Sequence, residues 1–154
     1  ERTMLTTLSV ALLLINTPQA PAPGPQQPAK AVPAAAELTI AFDGIETPSG
    51  AILMQLFDAE ASFDGNGRPA RIALAPVQGN NAVARFEGLP PGRYAVKAFH
   101  DLDGDHALAT NPFGLPIEPF AFSNDAAPQG GPPSWTAASF DVAAGRVTHR
   151  IRIR

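Results

Sequence analysis

"EGLPPGRYAVKAFHD", Glu87 to Asp101, sets the reading of the fold. Pro90 and Pro91 preset the backbone and Gly92 can take a positive φ, so the stretch opens on a tight turn. After that turn Tyr94, Val96 and Ala98 fall on alternate positions, the period of a strand with one face turned inward. A polyproline ligand would need repeated, exposed prolines, so these two serve the geometry of the turn.

The same period recurs on both sides. "ELTIAF" (Glu37 to Phe42) puts Leu38, Ile40 and Phe42 on one face, and "DGIETPSG" supplies turn residues before "AILMQLF" (Ala51 to Phe57). "RIALA" (Arg71 to Ala75), "NAVARF" (Asn81 to Phe86), "WTAASFDV" (Trp135 to Val142) and "RVTHRIRIR" (Arg146 to Arg154) continue the series, with Gly, Pro or Asn between them. About seven short strands without a helical period predict an all-β domain over residues 37–154, an antiparallel β-sandwich. In the last strand Val147, His149, Ile151 and Ile153 face one way, and Thr148, Arg150, Arg152 and Arg154 the other. With Arg146 this arginine row could meet phosphate or an acidic partner, but such a row more often guards an edge strand with solvated charge. His149, on the apolar side, reads as a packing histidine.

A chain of 154 residues with 45% hydrophobic content suffices for one domain of ordinary size. The net charge of −3 offers no basic field for nucleic acid or an anionic membrane. Cysteine is absent, which excludes disulfides, thiolate metal sites, a thiol nucleophile and a lipid-modified N-terminal cysteine. "MLTTLSVALLLI", Met4 to Ile15, is too short for a membrane-crossing helix, which needs about 20 residues, and fits the core of a signal peptide spanning residues 1–22. Arg2 is the one positive charge before it, Met4 is a candidate initiator, and Ala20 and Ala22 are cleavage candidates. Residues 23–36, rich in Pro and Ala, read as a disordered linker. The expected location is periplasmic or secreted, with no membrane span after cleavage.

The spacing of strands breaks once. Between Asp101 and Trp135 no strand is expected, and insertions of that length in compact domains tend to be functional or disordered. The segment "HDLDGDHALATNPFGLPIEPFAFSN", His100 to Asn124, holds no Lys or Arg. Asp101, Asp103 and Asp105 are spaced by two around Gly104, so a turning backbone can present alternate carboxylates to one hard cation. Three carboxylates so close repel one another unless a cation or a proton relieves them, which makes calcium the candidate cofactor. An EF-hand would carry Gly and Glu where His106 and Pro112 stand, so this is not one. Asn111 and Glu118 are the further oxygen donors, with Asp101 and Glu118 expected to hold the loop. The competing reading is a solvated acidic turn without metal.

The residues "LPPGRYAVKAFHDLDGDHALATNPFGLPIEPFAFSNDA", followed by "GPPSWTAASFDV", resemble a bacterial family catalogued as domain of unknown function 2141. That family pairs a PPGxYA strand with an HDxNxNGxxDxNxxGxPxExxxFSN segment and a PPxFxxAxF strand. The match runs through Pro90, Pro91, Gly92, Tyr94, Ala95, His100, Asp101, Asn111, Gly114, Pro116, Glu118, Phe122, Ser123, Asn124, Pro132, Pro133, Ala138 and Phe140. The resemblance implies an Ig-like or transthyretin-like sandwich and a periplasmic or surface location, and it carries no activity. Asp103 and Asp105 stand where the pattern favours Asn, Ala109 where it favours Asp, and His106 where it favours Gly. The loss of an oxygen at Ala109 removes one ligand, and His106 stiffens a turn that Gly would ease.

His100, Asp101, Glu118 and Ser123 include the residue types of acid–base or nucleophilic catalysis, but no nucleophile sits in an elbow such as GxSxG. Trp135, Phe120 and Phe122 could form an aromatic shelf for a sugar, or plug the end of the sandwich. The expectation is an exported, non-catalytic sandwich with a structural or binding role in the cell envelope, its acidic loop stabilised across one end by calcium. The runner-up is a module for a glycan or another cell-envelope ligand, and a hydrolase ranks third.

Overall fold

A computed structural model describes residues 34–154. The expected signal peptide and residues 23–33 of the expected linker lie outside the described residues. Eight strands follow: β1 (Ala36–Asp43), β2 (Ala51–Phe57), β3 (Arg71–Pro76), β4 (Ala82–Leu89), β5 (Gly92–Asp101), β6 (Phe120–Phe122), β7 (Phe140–Val142) and β8 (Gly145–Arg152). Two single-turn helices, α1 (Glu60–Phe63) and α2 (Trp135–Ala138), join them. One sheet runs β4-β1-β8, the other β3-β2-β5-β6 with β7 also on β5, and together they make the predicted β-sandwich.

Alternation places the core. Leu38, Ile40 and Phe42 of β1 meet Ile52, Met54 and Leu56 of β2 and Tyr94 and Val96 of β5, all buried in one cluster. Each such apolar side chain stabilises the fold by about 1.5–3 kcal/mol relative to exposure. The Pro90–Gly92 turn launches β5 as expected, and the Tyr94 hydroxyl donates 2.7 Å back to the Pro90 carbonyl, fixing the corner as a tyrosine corner does in Ig-type sandwiches. Burial, and secondarily Asp58, holds that phenol above its ordinary pKa against an opposing pull from Arg71.

Three features depart from the sequence expectation. β1 and β8 run parallel, from Ala36 opposite Gly145 to Asp43 opposite Arg152. β8 follows β7, which lies on the other sheet, so the chain crosses between layers and returns along β1 in the same direction. Trp135–Ala138 is a helical turn where a strand was expected, because the Ser134 hydroxyl caps the Ala137 N–H at 3.3 Å. Phe120–Phe122 adds an unexpected strand, pairing with Lys97–Phe99.

β8 forms one edge of its sheet, and Thr148, Arg150 and Arg152 point outward along it. Arg146 pairs with Glu37 at 3.1 Å and Arg152 with Asp43 at 3.2 Å, exposed contacts worth about 0–1 kcal/mol each. The row thus reads as a charged edge that discourages pairing with a second chain.

His149 lies flat on Phe140, ring centroids 3.8 Å apart, and its Nε2 accepts the Asn124 N–H at 3.2 Å. An accepting Nε2 requires neutral imidazole. Burial pushes the His149 pKa below its usual 6.5, with Asp125 pulling the other way. The unfolded chain therefore binds the proton more readily, and this contribution is full above pH 6.5 and falls as pH drops through that value toward the lower folded one. Melting at pH 7.5 against pH 5 should show a small loss of stability in acid that shrinks in His149→Phe. An unchanged pH profile in that variant would refute the assignment.

Candidate functional site: the acidic loop and the cleft beneath it

The site begins where β5 ends. His100 is buried, its main-chain N–H donates to the Pro119 carbonyl at 2.7 Å, and its Nε2 lies 2.7 Å from the Ser49 carbonyl in the β1–β2 corner. Asp101, 2% exposed, then turns its carboxylate into the loop that follows. One oxygen accepts the Gly104 N–H at 2.8 Å and the other the His106 N–H at 3.2 Å. Glu118, also buried, accepts the Leu102 N–H at 3.0 Å and the Ala109 N–H at 2.9 Å. Two carboxylates at the two ends of the segment thus satisfy four backbone donors within it, and such charge-assisted bonds are stronger than neutral ones. His106 adopts φ 63°, the left-handed conformation a side chain resists, at the position where glycine would relax the turn.

The exposed acids serve smaller turns. Asp103 accepts the Asp105 N–H at 3.1 Å, and Asp105 accepts the Ala107 N–H at 2.8 Å. The Asn111 side-chain oxygen takes the Phe113 and Leu115 N–H groups at 2.9 and 3.0 Å, closing a turn bridged by Thr110 and Pro116. Asp101, Asp103 and Asp105 bring carboxylate oxygens within 4.8 Å of one another. Glu118 is outside that group; its two oxygens, like both of Asp101 and one each of Asp103, Asp105 and Asn111, are engaged by main-chain donors.

The loop does not simply close one end of the sandwich. With residues 128–132 it walls a cleft of about 700 Å³ whose floor is the outward face of β2, β5 and β6. Strand register sets the floor. Leu74, Leu53, Phe99 and Phe120 stand opposite one another across four strands, and Ile72, Gln55, Lys97 and Phe122 form the next row. Leu53, Lys97, Phe99, Phe120 and Phe122 line the cleft, and Leu108, Leu115 and Pro116 of the loop rise beside them.

Of the expected aromatic shelf, Phe120 and Phe122 lie on this outward face and meet edge to face, centroids 5.8 Å apart. Trp135 packs edge-on against Phe63 at 5.8 Å, and all three shelf residues belong to a second apolar cluster with Phe57, Ala95 and Ala138. The three rings therefore form no single flat platform, and they cover the outside of a sheet instead of plugging the sandwich end.

Lys97 was not singled out by the sequence reading. Its Nζ donates to the Phe63 carbonyl and sits 4.4 Å from the Phe63 ring centre and 5.3 Å from that of Phe57. Burial lowers its pKa from the usual 10.5, against an upward pull from Asp64. The available signal was "AILMQLF", which is apolar on nearly every position and so needs cover on both faces.

Ser123 is fully buried between β5 and α2, donating to the Ala138 carbonyl at 2.6 Å and accepting the Val96 N–H at 2.8 Å. Asn124 donates to the Ala137 and Ser139 carbonyls at 3.1 and 3.0 Å, and Asp125 accepts the Arg152 N–H at 2.8 Å. The FSN segment is thus a knot joining β5, α2 and β8. Among the described residues no helix is long and apolar enough to cross a membrane.

Comparison with curated proteins and with solved structures gave no match. A family model described as "Uncharacterized protein conserved in bacteria (DUF2141)" matches residues 40–150, and the chain belongs to that family.

Proposed function

We propose that this chain is an exported, non-catalytic protein of the periplasm or cell surface, with a structural or binding role centred on the His100–Asn124 loop. The observation that carries the reading is the paired hold of Asp101 and Glu118, which spends two buried carboxylates on fixing a loop in place. Immobilising a long surface segment opposes its conformational entropy, which makes sense where the segment must present a shaped surface. His100, Asp101, Glu118 and Ser123 each bond to main-chain groups, which favours a positioning use of these residues over catalysis.

Calcium is the cofactor this reading proposes, at Asp101, Asp103 and Asp105. The triad offers three of the about 6–8 oxygens that calcium takes, so water would complete the shell and the affinity would be that of a weak extracellular site, about 10⁻⁴ to 10⁻³ M. Glu118 and Asn111 act behind the triad by holding the loop.

Thermal melts after chelation, titrated with calcium and with magnesium as control, test the proposal. Calcium at about ten times its dissociation constant should add about 1.4 kcal/mol, and magnesium much less. Asp101→Ala should lose about 1.5–3 kcal/mol without calcium and more with it. Equal losses in both conditions remove the metal, and no loss in either removes the loop lock itself.

The cleft favours one further reading: Phe120 and Phe122 lie in it, which supports binding of a cell-envelope ligand over a purely structural role.

A further inference from the structure

The outward face of the five-stranded sheet is built like an interior. A sheet face open to water carries polar residues at alternate positions, yet Leu74, Leu53, Phe99 and Phe120 align across four strands over about 14 Å, three inter-strand spacings. Part of that face is covered by α1 and α2 through Phe63 and Trp135. Beside that cover lies the cleft, with Leu74 and Ile72 of β3 exposed outside it, and its volume of about 700 Å³ falls in the range of small-molecule sites.

The charge of the lining is one-sided. It contains Lys97 and no Asp or Glu. Among the described residues Lys97 takes part in no salt bridge; its ammonium is held by one carbonyl and two ring faces. An ammonium has three N–H donors, so two remain after the Phe63 carbonyl is served. The ammonium is part-buried and Asp64 lies near it without an ion-pair contact, so a carboxylate entering the apolar cleft would be its first direct ionic partner among the described residues. A lone lysine is far short of the several cations a nucleic-acid backbone requires.

We infer that the cleft binds an anionic amphiphile, its alkyl or acyl chain laid on the Leu53–Phe99–Phe120 row and its carboxylate against the Lys97 ammonium. The inference rests on the binding role proposed above and names its ligand class. Both a free fatty acid and the acyl chain of a larger envelope lipid with an anionic head present this chemistry.

Calorimetry on the purified chain with octanoate, decanoate and dodecanoate, each below its micelle threshold, tests it. Affinity should rise about fourfold per added methylene. Decanoate should bind at least about tenfold more tightly than decanol, and decyltrimethylammonium more weakly than either. Lys97→Met should bring decanoate down to decanol, while Lys97→Arg retains the preference; the ligand series on the unmodified chain stands even if either variant folds poorly. Binding of a lysophospholipid with a phosphate head as tightly as decanoate would identify the larger lipid as the source. Chain-length-dependent binding with no preference for the anion overturns the inference and leaves a binding role standing. Binding of none of these ligands overturns it as well, and the loop lock is judged separately by the calcium and Asp101→Ala melts.

Discussion

Gly50→Ala lowers the stability of the domain by about 2–5 kcal/mol, a shift of roughly 10 °C or more in melting temperature. Gly50 ends the β1–β2 corner at φ +76°, and a Cβ built there would stand 2.4 Å from the Asp101 carbonyl oxygen and 3.4 Å from His100 Nε2. The left-handed backbone contributes about 1–2 kcal/mol of that loss. The rest is the clash, because the atom in the way is main chain at the end of β5 and cannot swing aside. Gly130→Ala is the control: φ is +74° there, and nothing lies within 4 Å of an added Cβ. It should lose only the backbone share. Equal losses in the two variants would show that the corner does not press on β5 as described. The contact matters for the site because the residue Gly50 touches, Asp101, is the one whose carboxylate holds the loop. A displaced Asp101 should loosen the loop, so protease cutting between residues 102 and 117 should accelerate in Gly50→Ala and not in Gly130→Ala.

The strands with one inward face could be read from the sequence, because burial there follows a local period. Leu38, Ile40 and Phe42 of β1 and Tyr94, Val96 and Ala98 of β5 are buried as their alternation requires. Asp101 and Glu118 stood out in the sequence as oxygen donors to a cation, whereas the main-chain N–H groups they accept in the loop depend on its folded path and were not legible there. What stayed hidden depends on distant partners. Phe120–Phe122 is too short to show a period and becomes a strand only by pairing with Lys97–Phe99. The parallel match of β1 to β8 joins the two ends of the domain, and no local pattern encodes it. Trp135–Ala138 was misread because Trp and Thr favour strands, while Ser134 supplied the opposing helix signal. The cleft was missed for a related reason: Phe99 was taken as part of a one-sided strand and no face was assigned to Leu53, although each stands on the face opposite the sandwich core.

Ser123→Ala should cost about 2–5 kcal/mol, the other large effect, and the loss should be one of stability alone. β5 gives one edge to two short strands, β7 opposite Gly92–Tyr94 and β6 opposite Lys97–Phe99. Between them the ladder is interrupted, and the Val96 N–H would be orphaned if the Ser123 hydroxyl did not accept it at 2.8 Å. The same hydroxyl donates to the Ala138 carbonyl at 2.6 Å, so one side chain stands in for a missing rung and ties α2 to the sheet. Alanine leaves a buried donor and a buried acceptor without partners, each worth about 1–3 kcal/mol. Ser123→Thr keeps the hydroxyl but adds a methyl where the residue is 0% exposed, so overpacking should leave it between alanine and the parent. Denaturant melts of the three proteins check the order. If Ser123→Ala melts with the parent protein, the hydroxyl is not the rung described. If it folds with full stability and abolishes a hydrolytic turnover measured in the parent, the positioning assignment gives way to a nucleophile, because a group used only to bridge Val96 and Ala138 has no reason to act on a substrate.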